Sequence, residues 1–76
     1  PGPKARILVG FQEKLPEETL RQTILGFHGE IVAGPSALGL YTIEVPIRPE
    51  RTEEVNKLLK DLRRRKDVVR FAEAVP

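Results

Sequence analysis

Gly39-Leu40-Tyr41-Thr42-Ile43-Glu44-Val45, closed by Pro46, puts Tyr41, Ile43 and Val45 on one face of an extended chain and Leu40, Thr42 and Glu44 on the other. Side chains alternate with period two along a strand, and proline has no amide with which to continue a ladder. The stretch therefore reads as a half-buried strand with a defined end. Before it, Glu30-Ile31-Val32-Ala33 is a second short β run, and Gly34-Pro35-Ser36 between the two is turn chemistry. So short a connection joins antiparallel neighbours, and the pair is expected to form a hairpin.

Upstream, Pro16 occupies the place of a first helical residue and is followed by Glu17 and Glu18, whose charges suit a helix start. Leu20, Ile24 and Phe27 recur at i, i+4 and i+7, and Gly29 stands where a left-handed residue would close the helix. This predicts a helix over about 16–28. Gly26 inside it costs about 1 kcal/mol relative to Ala, which would be explained by a close contact with a strand. Earlier still, Arg6-Ile-Leu-Val-Gly-Phe11 carries Ile7, Val9 and Phe11 on one face and reads as the first strand.

Downstream, Thr52 is placed to cap a second helix with Glu53 and Glu54 in its first turn, and Val55, Leu58, Leu59 and Leu62 form its apolar stripe. Its end carries Arg63, Arg64, Arg65 and Lys66, which the negative helix terminus attracts. After Asp67, Val68-Val-Arg-Phe-Ala-Glu73 reads as a last strand. The order β-α-β-β-α-β gives an α+β domain of the ferredoxin-like type, a four-stranded antiparallel sheet with both helices on one face. The other face is left open. Leu8, Leu40 and Thr42 fall on it, a mildly apolar surface that a partner could cover.

The 76 residues suffice for one domain over 1–76, with 1–5 expected to be a disordered or excised start. Zero Cys removes disulfides, thiolate metal sites and thiol nucleophiles, and a single His, His28, leaves no His-based metal cluster. No metal and no cofactor is expected. No apolar run reaches the ~18 residues of a membrane span. Ser36 is the only serine and lies in a Gly-Pro turn, without a nucleophile elbow, so the chain is read as a non-enzyme. His28 reads as a solvent-side residue at a helix end, with pH sensing a lesser option.

Six of the thirteen basic residues lie in Lys57, Lys60, Arg63, Arg64, Arg65 and Lys66. They could form a phosphate-binding stripe. The simpler reading is a solvated helix face, with Glu53–Lys57 and Lys57–Asp61 spaced to pair. A net charge of +2 does not imply nucleic acid. Recognition of RNA by such a sheet also needs stacking aromatics on the central strands, which Leu8-Val-Gly-Phe11 and Gly39-Leu-Tyr-Thr42 do not supply.

Taken in order, Ile7-Leu-Val-Gly-Phe11, Phe27-His-Gly-Glu-Ile-Val32, Leu38-Gly-Leu-Tyr-Thr-Ile-Glu-Val-Pro46 and Asp67-Val-Val-Arg-Phe-Ala-Glu73 resemble the propeptides of subtilisin-type proteases, the inhibitor I9-like domains. The resemblance runs from about Ile7 to Glu73. It implies a secreted or extracytoplasmic domain that assists the folding of a subtilisin-type serine protease and blocks it, in cis or in trans. The open sheet face, with Leu40, would pack on the enzyme. Glu73 would cap a partner helix, and the C-terminal segment Ala74, Val75 and Pro76 would enter the substrate cleft. One departure is that several more residues follow the matching glutamate in the family, whereas only three do here. The alternatives are a basic RNA-binding or ribosome-associated module of the same topology and a structural interaction domain of a larger secreted protein.

Overall fold

A computed structural model describes residues 2–75. Its elements are β1 (Ala5–Phe11), α1 (Glu17–Gly26), β2 (Glu30–Ala33), β3 (Leu40–Val45), α2 (Thr52–Arg64) and β4 (Val69–Ala74). The strands form one antiparallel sheet in the order β2-β3-β1-β4, and the arrangement is ferredoxin-like. The alternation that defines β3 has its physical counterpart in β1. Ile7 lies opposite Ile43, and Val9 opposite Tyr41. Ile7, Val9, Ile43 and Val45 are the largest fully buried side chains, and Val55, Leu59 and Leu62 of α2, Ile24 of α1, and Ala5, Phe11, Val68, Val69 and Ala72 share the core with them.

The two helices are seated unequally. α2 buries three residues of its apolar stripe, with Leu58 partly buried beside them. α1 buries only Thr23 and Ile24, while Leu20 is partly covered and Leu25 stands 57% exposed. Thr23 satisfies its hydroxyl by donating to the Thr19 carbonyl at 2.8 Å, one turn back.

Several helix ends differ from expectation. Pro16 lies outside α1 as its N-cap, with ψ at 141°, and its carbonyl accepts the Leu20 amide at 3.1 Å. α1 ends at Gly26, earlier than the periodicity through Phe27 suggests. The left-handed residue is His28, at φ 59°, not Gly29. The Gly29 amide donates to the Ile24 carbonyl and the His28 amide to the Leu25 carbonyl, both at 3.0 Å, a Schellman closure with histidine in the position glycine usually takes. Gly29 is required for another reason. A β-carbon there would stand 2.6 Å from a Phe27 ring carbon and 2.7 Å from Ile43 Cγ2, so the helix end packs directly on the Ile43 side chain of β3. Gly26 has no such neighbour within 4 Å, and the close contact expected for it is absent.

At the start of α2 the capping position is Arg51, not Thr52, and no side chain caps the helix. Thr52 is the first helical residue, and its hydroxyl donates to the Glu50 carbonyl at 3.5 Å. The ion pairs along this helix are Arg51–Glu54 at 2.8 Å and Arg64–Asp61 at 3.8 Å, rather than the pairs expected for Lys57. β1 starts one residue earlier than expected, because Ala5, read as part of a disordered or excised start, is buried in the core, and β4 is shifted by one residue to Val69–Ala74.

Candidate functional site

The open face of the sheet is set by register. β1 contributes Arg6, Leu8 and Gly10, opposite Glu44, Thr42 and Leu40 of β3. On the other side, β4 brings Glu73 opposite Leu8 and Phe71 opposite Gly10. Leu8, Leu40 and Thr42 are half-buried and Phe71 is 39% exposed, so an aliphatic and aromatic centre lies open with no helix above it. Ion pairs stand at its margins. Arg6 Nε lies 3.3 Å from Glu44 Oε2 across strands, and Arg63 Nη2 lies 2.8 Å from Glu73 Oε2. An apolar centre within a charged rim is the pattern of a protein-binding patch.

A bulge shapes one end of this face. Gly10 pairs with Phe71 and Phe11 with Val69, which leaves Arg70 as an extra residue on β4. Bulges re-aim side chains, and this one sends Arg70 across Gly10, where Nη2 donates to the Leu38 carbonyl at 3.0 Å. A β-carbon on Gly10 would be 3.0 Å from Arg70 Nη2 and 3.0 Å from Leu40 Cδ2. Glycine thus makes room for the guanidinium and the leucine together.

The residues expected to contact a partner fall in three environments. Leu40 and Glu73 are on the open face. Glu73 does not present a free carboxylate, because Arg63 holds one of its oxygens. Ala74 is the last residue of β4, paired with Ile7, and the Val75 amide donates to the Arg6 carbonyl at 3.0 Å. These two continue the sheet rather than leave it as a tail. Pro76 lies outside the described residues. Phe71 was missed in the sequence reading. Its place on the open face was available from the alternation Phe71, Glu73 on β4, but the apolar run Val68-Val69 masks the period.

Two basic residues of α2 are engaged within the chain. Arg63 turns to β4, where Nε donates to the Ala72 carbonyl at 2.9 Å, and Arg64 pairs with Asp61. Among the described residues no group of three His, Asp or Glu side chains is placed to hold a metal ion, and no helix is long and apolar enough to cross a membrane. No family model matches the chain, and no curated protein or solved structure matches it.

Proposed function

We propose that this chain is a non-catalytic, propeptide-like domain that docks on a subtilisin-type serine protease through the open face of its sheet. The observation that carries the reading is the uncovered patch of Leu8, Leu40 and Phe71, framed by the Arg6–Glu44 and Arg63–Glu73 pairs. Burying such apolar area gains roughly 25 cal/mol per Å², and the rim charges select orientation more than they add affinity.

Glu73 serves this docking with its second oxygen. Arg63 binds Oε2, and a carboxylate accepts several hydrogen bonds, so Oε1 can receive the free amides at the start of a partner helix. Arg63 holds the carboxylate in one orientation for that contact. The segment that would lie in a substrate cleft begins beyond Val75, since Val75 is tied to β1. Attachment by the face and occlusion of the cleft are therefore separate contributions.

The test is the dissociation constant of the chain against a panel of subtilisin-type enzymes, for wild type, Leu40→Asp and Glu73→Ala. Leu40→Asp buries a charge in the interface and weakens binding at least about tenfold, and Glu73→Ala weakens it by a smaller factor. Absence of binding to every enzyme, or equal affinity for wild type and Leu40→Asp, overturns the reading.

A further inference from the structure

The two edges of the sheet are guarded unequally. At β4 the Ala72 carbonyl is taken by Arg63 Nε at 2.9 Å. At β2, the opposite edge, all four residues from Glu30 to Ala33 are exposed, and none of them is lysine, arginine or proline. Among the described residues, no hydrogen bond beyond those of the pairing with β3 reaches this strand. The register shift between Ile31 and Ala33 adds twist without covering it. A strand left so is a template for another strand.

Apolar side chains gather at the same edge. Of the six large hydrophobic residues exposed among the described residues, four belong to β2 or its flanks: Ile31 and Val32 at 42% and 41%, Leu25 before the strand at 57%, and Leu38 after it at 75%. Leu25, Ile31 and Leu38 line one groove of about 820 Å³ together with Phe11, Ile24 and Tyr41. Apolar surface concentrated in this way marks an interaction site. The loop that displays Leu38 is also held firmly. The Ser36 hydroxyl oxygen accepts the amides of Leu38 and Leu40 at 3.3 and 3.2 Å, the Ser36 amide donates to the Leu40 carbonyl at 2.9 Å, and the Gly39 amide donates to the Ser36 carbonyl at 2.8 Å. A leucine so exposed on a loop so constrained is preorganised for contact.

We propose that β2 pairs antiparallel with β2 of a second copy of this chain, joining the two sheets edge to edge about a two-fold axis. What flanks the strand selects this occupant. Antiparallel pairing carries the loop after β2 of one copy past the α1 end that precedes β2 in the other, so Leu38 of each copy meets Leu25 of the second. The chain thus supplies both the protruding leucine and the apolar surface that receives it, once in each direction, as an isologous contact requires. An unrelated strand would satisfy the backbone and leave Leu25 and Leu38 uncovered. Glu30 sets the direction of pairing. It has no ion-pair partner among the described residues, and parallel pairing would put it beside its own copy, where like charges repel; antiparallel pairing separates the two carboxylates. The dimer leaves Leu8, Leu40 and Phe71 on the open face uncovered, so it is independent of the protease reading.

The experiment is sedimentation of the chain over a range of concentrations, with isotope-filtered NMR on an equal mixture of labelled and unlabelled chain. Two short strands and two leucine contacts make a small interface, so a reversible dimer with a dissociation constant of about 0.5 mM or tighter is expected when the chain is followed up to about 1 mM. The filtered spectra should show methyl contacts between Leu25 of one copy and Leu38 of the other. Val32→Lys, which places a charge on the edge, and Leu38→Ser, at an exposed side chain, should each weaken the dimer at least about tenfold, with the amide spectrum of the monomer otherwise retained. A chain that stays monomeric throughout, a dimer indifferent to both substitutions, or intermolecular contacts that join Leu25 to Leu25 instead of Leu38 would each overturn the proposal.

Discussion

Arg63, in the last turn of α2, binds Glu73 of β4 at 2.8 Å and donates through Nε to the neighbouring Ala72 carbonyl at 2.9 Å. One side chain thus ties a helix end to the outermost strand of the sheet and occupies a carbonyl of an edge that would otherwise invite another strand. The tri-arginine run of the sequence is only partly a response to the helix dipole, since its first member is a cross-element clamp.

The clamp is exposed on both sides, so its contribution to stability is small. Glu73→Ala should cost no more than about 1 kcal/mol, and Arg63→Ala somewhat more, because the backbone bond goes with it. A double-mutant cycle in urea should return a coupling below about 1 kcal/mol. A coupling of several kcal/mol would mean that Glu73 is chiefly structural and that its effect on any partner is indirect.

The two glycines at the end of α1 should respond in opposite senses. Gly29→Ala places a β-carbon within 2.7 Å of Ile43 and should destabilise by about 1–3 kcal/mol. Gly26→Ala meets nothing within 4 Å and should stabilise by up to about 1 kcal/mol. Chemical denaturation of the two variants beside wild type checks the contrast, and equal losses would contradict it.

His28 should be replaceable with gain. A non-glycine residue in the left-handed region costs roughly 1 kcal/mol, and His28 holds that conformation at φ 59° while exposed. His28→Gly should therefore raise the melting temperature by a few degrees, on the order of 4–8 °C per kcal/mol for a domain of this size. A lower melting temperature would show that the imidazole makes a contribution larger than the backbone strain.

These positions mark where sequence and structure part. The faces of β1 and β3 and the stripe Val55, Leu59, Leu62 were legible because burial repeats with the local period of each element. The helix ends were not. The need for glycine at position 29 comes from the side chain of Ile43, fourteen positions away on another strand. The bulge at Arg70 and its bond to Leu38 join residues 32 positions apart, and no spacing within β4 announces them. On the candidate site, Leu40 and Glu73 could be assigned to one face from alternation, while the engagement of Glu73 by Arg63 and of Val75 by Arg6 depends on tertiary register.

Salt dependence separates a protein-docking domain from a nucleic-acid binder. A phosphate-binding stripe at Lys57, Lys60, Arg64, Arg65 and Lys66 would lose orders of magnitude of affinity for RNA between about 50 and 200 mM salt. With Arg63 committed to β4 and Arg64 beside Asp61, we expect only weak, sequence-independent RNA binding at physiological salt. A complex of micromolar affinity or better under those conditions, abolished by neutralising Arg64 and Arg65, would make the RNA-binding reading the stronger one.

Separating face from cleft gives the last expectation. The sheet holds the chain through Val75, whose amide is bonded to Arg6, so docking by Leu8, Leu40 and Phe71 does not by itself fill a protease cleft. Appending about five residues in extended conformation after Pro76 adds main-chain pairing in that cleft, and a tethered second contact benefits from the high effective concentration set by the first. Inhibition should tighten at least tenfold, about 1.4 kcal/mol. Leu40→Asp should weaken the original and the extended chains by the same factor, because the face lies outside the cleft. The measurement is an inhibition constant for the four chains against one subtilisin-type enzyme that binds the original. If Leu40→Asp weakens the extended chain alone, or extension abolishes the effect of Leu40, then the face and the cleft are not independent, and docking by the sheet cannot precede occupation of the cleft.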